Sequence, residues 1–347
     1  MSYTFDKKYF CDTFKRLVEV PSPTGYYVKA NPVLVKIAEE IGYSVTFDNR
    51  NTAYITLDGE DNSKTVLVGA HMDTLGMIVR RIDADGKIRV RQLGGVSYQS
   101  FEGETVTVHT RDGREYTGLF ACQSHSVHVF DDARTLERDE NNMIVILDEK
   151  VSSKEEVEAL GIRHGDIISV EPRCQFTENG FVKSRYIDDK AAVACCLEVL
   201  KFLKENDIKP KYRTIFAFPY YEEIGLGGNY IPEEVSEFIA VDIGLIGPDY
   251  DGNEYAVSIC AKDNGAIYDY ELTSELVNLA EKLGLNYATD IYYRYGTDAN
   301  QALRAGHNIR AAVFGMAVYC SHGMERTHLD GIENTTKLIA GYLLERE

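Results

Sequence analysis

The residues at 66–70, inside KTVLVGAH, form an unbroken apolar run. Such a run reads as a strand buried on both faces, the kind that lies inside a parallel sheet covered by helices. A chain that begins this way is expected to continue with alternating helices and strands. This one does not. From about residue 83 to residue 174 it turns to short β-runs cut by DADGK, LGG, FEGE, RDGRE and DENN. Asp85-Gly86 and Asp112-Gly113 are tight-turn pairs. One helix is expected there, over SSKEEVEALG, with Ser152 as its cap and Glu155 completing a capping box. From about residue 181 the α/β texture returns. Three consecutive domains would leave the first with too few strands to stand alone. The economical reading is α/β: a mixed-sheet α/β/α domain made of residues 1–82 and 176–347, split by an inserted small β-rich domain, residues 83–175.

The flanking elements fit that frame. Residues 9–20 read as an amphipathic helix broken by PSPTG. Residues 32–41 read as a second helix, closed by Gly42. SVTFD, TAYITL, YRTIFAFPYY, FIAVDIGLIG, EYAVSICA and IRAAVFGMAVY read as strands. AAVACCLEVLKFLKE, SELVNLAEKLG and TTKLIAGYLLERE read as helices. At 347 residues the chain can bury a core without disulfides. Its seven cysteines are odd in number and include no Cys-x-x-Cys pair, which points to a reduced, cytoplasmic setting. MSYTFDKKYF has no signal-type apolar run, and no stretch is long and apolar enough to span a membrane. A net charge of −18 argues against nucleic acid and anionic membranes as partners.

The chemistry gathers where the apolar runs end. VLVGA is followed by His71 and Asp73, IFAFPYY by Glu222 and Glu223, and FIAV by Asp242. Ligands bind at the carboxyl ends of strands in open α/β sheets. Imidazole and carboxylate are the ligand types that zinc and similar ions prefer. Asp188-Asp189 stands just before a helix, and His322 comes after the run AAVFGMAVY. Singly, each has a plainer reading. Asp188-Asp189 suits a helix N-terminus, Glu222-Glu223 suits a solvated loop, and His71 or Asp242 suits a strand end. Their recurrence at the ends of successive apolar runs favours a metal centre.

The candidate metal ligands are His71, Asp188, Glu223, Asp242 and His322. Three carboxylates against the charge of two divalent ions leave a balance close to neutral, and five ligands for two ions require a shared carboxylate. Asp73 lies on the same side of an extended chain as His71 and can fix its tautomer. Glu222, beside the ligands but outside the set, suits a general base.

In order along the chain, HMDTLG, YIDDK, YYEEIGLGG, FIAVD, GTDAN and SHGMER resemble the motifs of the tetrahedral aminopeptidases. This is a family of di-metal metallopeptidases, some of which carry the names glutamyl aminopeptidase or endoglucanase. The resemblance spans essentially the whole chain, insertion included. It implies that Asp188 bridges two ions, that His71 and Asp242 complete one site, and that Glu223 and His322 complete the other. It also implies that Glu222 is base and then acid, that Asp73 orients His71, and that the Asp188-Asp189 peptide is cis. Zinc is the first choice of metal, with cobalt or manganese as alternatives. A homo-dodecamer with dimers as building units is implied, the insertion supplying contacts. The chain departs from the family pattern at Thr74, at Gly25-Tyr26-Tyr27 and in SHGMERTH. His328 is a competing ligand candidate there, with packing the favoured role.

The expected activity is removal of N-terminal residues from short peptides. The alternatives are a metal-dependent deacylase or amidase acting on N-acylated amino acids, a glycosidase using paired carboxylates, and a non-enzymatic scaffold. The absence of Trp counts modestly against sugar stacking.

Overall fold

The computed structural model describes residues 3–346. Met1, Ser2 and Glu347, on which the N-terminal reading and the end of the last expected helix partly fall, lie outside the described residues. Among those described, a mixed sheet of nine strands forms the body of the fold. Its centre is parallel: Tyr212–Phe218, Asp61–Gly69, Val235–Val241 and Arg310–Val318 lie side by side in that order. Ala53–Leu57 adds antiparallel at one side and Val257–Lys262 at the other.

Side-chain alternation along each strand decides what covers each face. Val66 and Val68 point into a core with the helices Lys7–Val18, Ala30–Ile41, Ile187–Glu205, Tyr270–Lys282 and Leu329–Leu344. Leu67 points the other way, into a smaller core that includes Phe238, Ala299 and Ala302 of the short helix Asp298–Arg304. The sheet is therefore covered on both faces, which is why its central strands read as continuous apolar runs. Helix Ile187–Glu205 is buried on all sides along its first three turns, which accounts for the all-round apolar AAVACCLEVL.

The stretch with the different texture closes into a barrel. Strands Gly76–Ile82, Ile88–Leu93, Met143–Leu147, Glu115–Cys122, Thr105–His109 and Ile167–Val170 pair antiparallel around it in that order. Met77 and Val79, Ile88 and Val90, Val106 and Val108, and Met143 and Val145 fill it from alternate positions. The helix within this stretch is Lys154–Ala159. Its cap is one residue later than the sequence suggested: Ser153, in extended conformation, accepts the Glu156 N–H, and the Glu156 carboxylate accepts the Ser152 N–H. No helix among the described residues is long and apolar enough to cross a membrane.

One buried acid inside the helical layer carries a stability prediction. Glu198 accepts the Asp6 N–H at 2.9 Å and the Tyr3 hydroxyl. Burial pushes its carboxyl up to about 7. The folded form thus binds this proton more tightly than the unfolded chain. Its stabilising contribution is full below the ordinary carboxyl range and is lost as pH rises through about 7. Glu198→Gln is expected to match the parent in melting temperature near pH 4 and to exceed it by a few degrees near pH 8. Melting curves that fall in parallel for the two proteins would refute this.

Candidate metal centre and active site

The parallel strands all end at one edge of the sheet, and the polar groups collect there. His71 lies two residues past Asp61–Gly69, and Asp242 directly follows Val235–Val241. Glu222 and Glu223 stand in a single 3-10 turn after Tyr212–Phe218, closed by Gly225 in the left-handed region. His322 lies past the end of Arg310–Val318. Asp188 and Asp189 begin helix Ile187–Glu205, and the peptide bond between them is cis.

Asp188 sits between the two histidines. Its Oδ1 is 3.0 Å from His71 Nε2, and its Oδ2 is 3.6 Å from His322 Nε2. Glu223 Oε2 lies 3.7 Å from the same His322 nitrogen. Ligand atoms of His71, Asp188 and Glu223 all fall within 4.8 Å of one another, and so do those of His71, Asp189 and Asp242. Both histidines are oriented by carbonyls, which only accept, so each Nδ1 carries a proton, and each Nε2 faces the carboxylates. His71 Nδ1 donates to the Asp73 carbonyl at 3.0 Å, and His322 Nδ1 donates to the Gly95 carbonyl at 2.9 Å. Gly95 comes from the barrel side. A Cβ there would stand 2.9 Å from His322 Nδ1, so the close approach needs glycine.

Asp73 proves to be a hub for the strand-end loops. Its main-chain carbonyl holds the ring of His71, while its carboxylate stays 3.5 Å from that ring. The carboxylate instead accepts the Thr24 hydroxyl at 2.9 Å and the N–H groups of Glu222 and Glu223 at 3.1 and 3.2 Å. Two further acids escaped the sequence reading. Asp189 accepts the His71 N–H at 3.1 Å through Oδ2, and its Oδ1 is buried without a partner. Glu325 accepts the His322 N–H at 3.2 Å and the Asp188 N–H at 3.0 Å, one with each oxygen. The repeated Asp in YIDDK was the available signal for the first. Only the three-residue offset from His322 hinted at the second. His328 caps the last helix through Nδ1 and donates to the Asn179 carbonyl through Nε2, away from the ligands.

The electrostatics show what the site favours. Burial, reinforced by the neighbouring acids, pushes Glu222, Glu223, Asp189 and Glu325 well above the usual carboxylate range. Burial and the charge of Asp188 bring Asp242 up to about 7. Burial opposes ionisation of Asp188, yet its hydrogen bond to His71 holds it low. So many buried carboxylates with so few cations are stable as anions only when positive charge joins them. The donor set of imidazole nitrogens and carboxylate oxygens, with one carboxylate oxygen left unpartnered, fits divalent cations. Beside it lies a cavity of about 500 Å³, lined by Asp188, Glu223, Asp242, Tyr295, Gln301 and His322 among others.

A helix-covered mixed sheet with two overlapping imidazole–carboxylate clusters at its carboxyl edge has the donors of a metal-dependent enzyme. The sequence profile of the M42 glutamyl aminopeptidases matches residues 51–338, and the chain belongs to that family. It is 40% identical over 333 residues to the protein YhfE of Bacillus subtilis, covering 96% of both chains. It is 24% identical over 351 residues to a lysyl aminopeptidase of Pyrococcus furiosus, again covering 96% of each. The fold matches the TET1 peptidase of Pyrococcus horikoshii, which can assemble into a tetrahedron or a large octahedral shell. The TM-score is 0.81 at 24% identity, covering 97% of this chain and 100% of the other. The chain is a metallo-aminopeptidase. The tetrahedral-aminopeptidase resemblance, the α/β class and the aminopeptidase activity expected from the sequence are borne out.

Proposed function

We propose that the chain removes N-terminal residues from short peptides at a centre of two divalent ions held by His71, Asp188, Glu223, Asp242 and His322. The observation that carries this reading is the placement of Asp188, which offers one oxygen toward each histidine. In this reading Asp188 would be shared, His71 and Asp242 would hold one ion, and Glu223 and His322 would hold the other. Asp189 supports the first set and Glu325 holds Asp188 and His322 in place. Bound there, the ions would supply Lewis-acid polarisation of the scissile carbonyl and a lowered pKa for the attacking water. Glu222, outside both clusters, takes the proton from that water and returns it to the leaving amine. Asp73 fixes the His71 ring through its carbonyl and the Glu222-Glu223 turn through its carboxylate.

Zinc is the first candidate metal on the imidazole–carboxylate donor set, with cobalt and manganese next. Unpaired cysteines, seven among the described residues, fit a cytoplasmic setting. We further take residues 1–82 with 176–347 as the catalytic part and residues 83–175 as the inserted part. The latter would supply contacts in a homo-dodecamer like the tetrahedron described for the Pyrococcus horikoshii enzyme. The preferred first residue does not transfer, since the names in this family run from glutamyl to lysyl.

The deciding experiment pairs a free-amine aminoacyl anilide with its N-acetyl form, on metal-stripped protein reloaded with zinc, cobalt or manganese. Turnover of the free amine at least about 100-fold faster than the blocked form is expected, equivalent to about 2.7 kcal/mol. The opposite preference would make the protein a deacylase.

A further inference from the structure

Gln301 stands on the short helix Asp298–Arg304, against the turn Gly227–Asn229. It is nearly buried yet lines the cavity beside the metal ligands. Its Oε1 accepts the Gly228 N–H at 3.2 Å. A backbone N–H only donates, so this contact sets which way round the side-chain amide lies. Nε2 then faces Glu222, donating to its Oε1 at 3.2 Å and to its main-chain carbonyl at 3.4 Å. The helix itself is pinned from behind. The Thr297 hydroxyl meets the Tyr268 hydroxyl at 2.9 Å, and Asn300 Nδ2 donates to the buried Asp263 at 3.0 Å. The other oxygen of Glu222, Oε2, is 3.8 Å from His71 Nε2 and faces the ligand cluster.

The two oxygens of Glu222 are thus inequivalent. A proton on Oε1 would confront an N–H donor, whereas a proton on Oε2 meets no such conflict. We propose that Gln301 is a positioning residue for the general base, occupying Oε1 so that Oε2 carries the proton. The inference rests on Glu222 being that base. When water attacks, its O–H bond breaks, a C–O bond forms to the scissile carbonyl carbon, and the proton settles on Oε2. When the C–N bond breaks, that proton passes to the amine nitrogen and the carboxylate is restored. Because Oε1 stays bonded to Gln301 throughout, the carboxylate does not rotate between the two transfers.

Gln301→Met keeps the length of the side chain and removes its N–H. We expect kcat on a free-amine aminoacyl anilide to fall about 10- to 100-fold, the usual cost of losing a supporting hydrogen bond at such a site. KM should stay within about two-fold of the parent and metal content should be unchanged. In a Glu222→Gln background the same substitution should change the residual kcat by less than about two-fold, since there is no base left to position. Gln301→Leu, which also removes the donor and adds no charge, gives the same reading if the methionine variant does not fold. Parental kcat, an effect on KM alone, loss of metal, or an equal drop in both backgrounds would each overturn the inference. Failure of the underlying assignment is separately visible, because Glu222→Gln alone would then turn over at the parental rate.

Discussion

Glu222→Gln is expected to lower kcat by about 10²- to 10⁴-fold while metal content stays that of the parent. The two halves of this result come from different features. Glu222 belongs to neither three-residue cluster, so its loss leaves the metal donors intact. Its main-chain N–H is tied to Asp73 at 3.1 Å, so an isosteric amide inherits the same turn. What the amide does not inherit is the ability to accept a proton. Burial and the charges of Asp242, Asp298 and Glu223 work together to make this carboxylate a strong proton acceptor in the metal-free protein, with His71 opposing. Bound cations counter that rise and bring the group back toward the working range of a base. Activity close to the parent's in the glutamine variant would refute the assignment. Low activity together with lost metal would make Glu222 a ligand instead.

Stripping the divalent ions should abolish turnover and also change how stability depends on pH. Burial is the leading cause that pushes Asp242 to about 7 and Asp298 to about 8 in the metal-free protein. Both bind protons more tightly folded than unfolded. Their stabilising contribution is full below the ordinary aspartate value of 3.8 and is lost as pH rises through about 7 and about 8. The stripped protein is therefore expected to lose melting temperature steadily between about pH 5 and pH 8. The loaded protein should lose far less, because the ions stabilise the same carboxylates as anions. With free metal about 1,000-fold above its Kd, the gap is on the order of 4 kcal/mol, or roughly 10 °C for a chain of this size. Melting curves taken with and without chelator across that range test it. A gap that stays constant with pH would mean that the buried acids are not what the ions neutralise.

The layout of the candidate site was legible because it depends on periodicity and order alone. Apolar runs such as residues 66–70 announce buried strands, and the residues just past each run gather at the same edge of a parallel sheet. The barrel was legible only as hairpins. Its closure pairs Met77 with Ile168, and no local turn signal reports a partner so distant. The missing parts of the site fail for a related reason. Asp189, Glu325 and Gln301 are ordinary polar residues in sequence, and they matter through the atoms their side chains reach after folding. Asp73 illustrates the limit most clearly. Its spacing correctly put it beside His71, but the folded backbone gave the ring to its carbonyl and freed its carboxylate for the next loop.

The bond from His322 to the Gly95 carbonyl has a consequence for synthesis. Its two ends lie 227 positions apart along the chain. Ribosomes deliver Gly95 long before His322, so this contact closes only when nearly the whole chain has been made. Until residue 322 has emerged and docked, the candidate metal centre lacks one imidazole and Asp188 lacks its second histidine neighbour. On the proposed assignment of His322 as a ligand, a chain cut short of that residue is expected to show no turnover of an aminoacyl anilide.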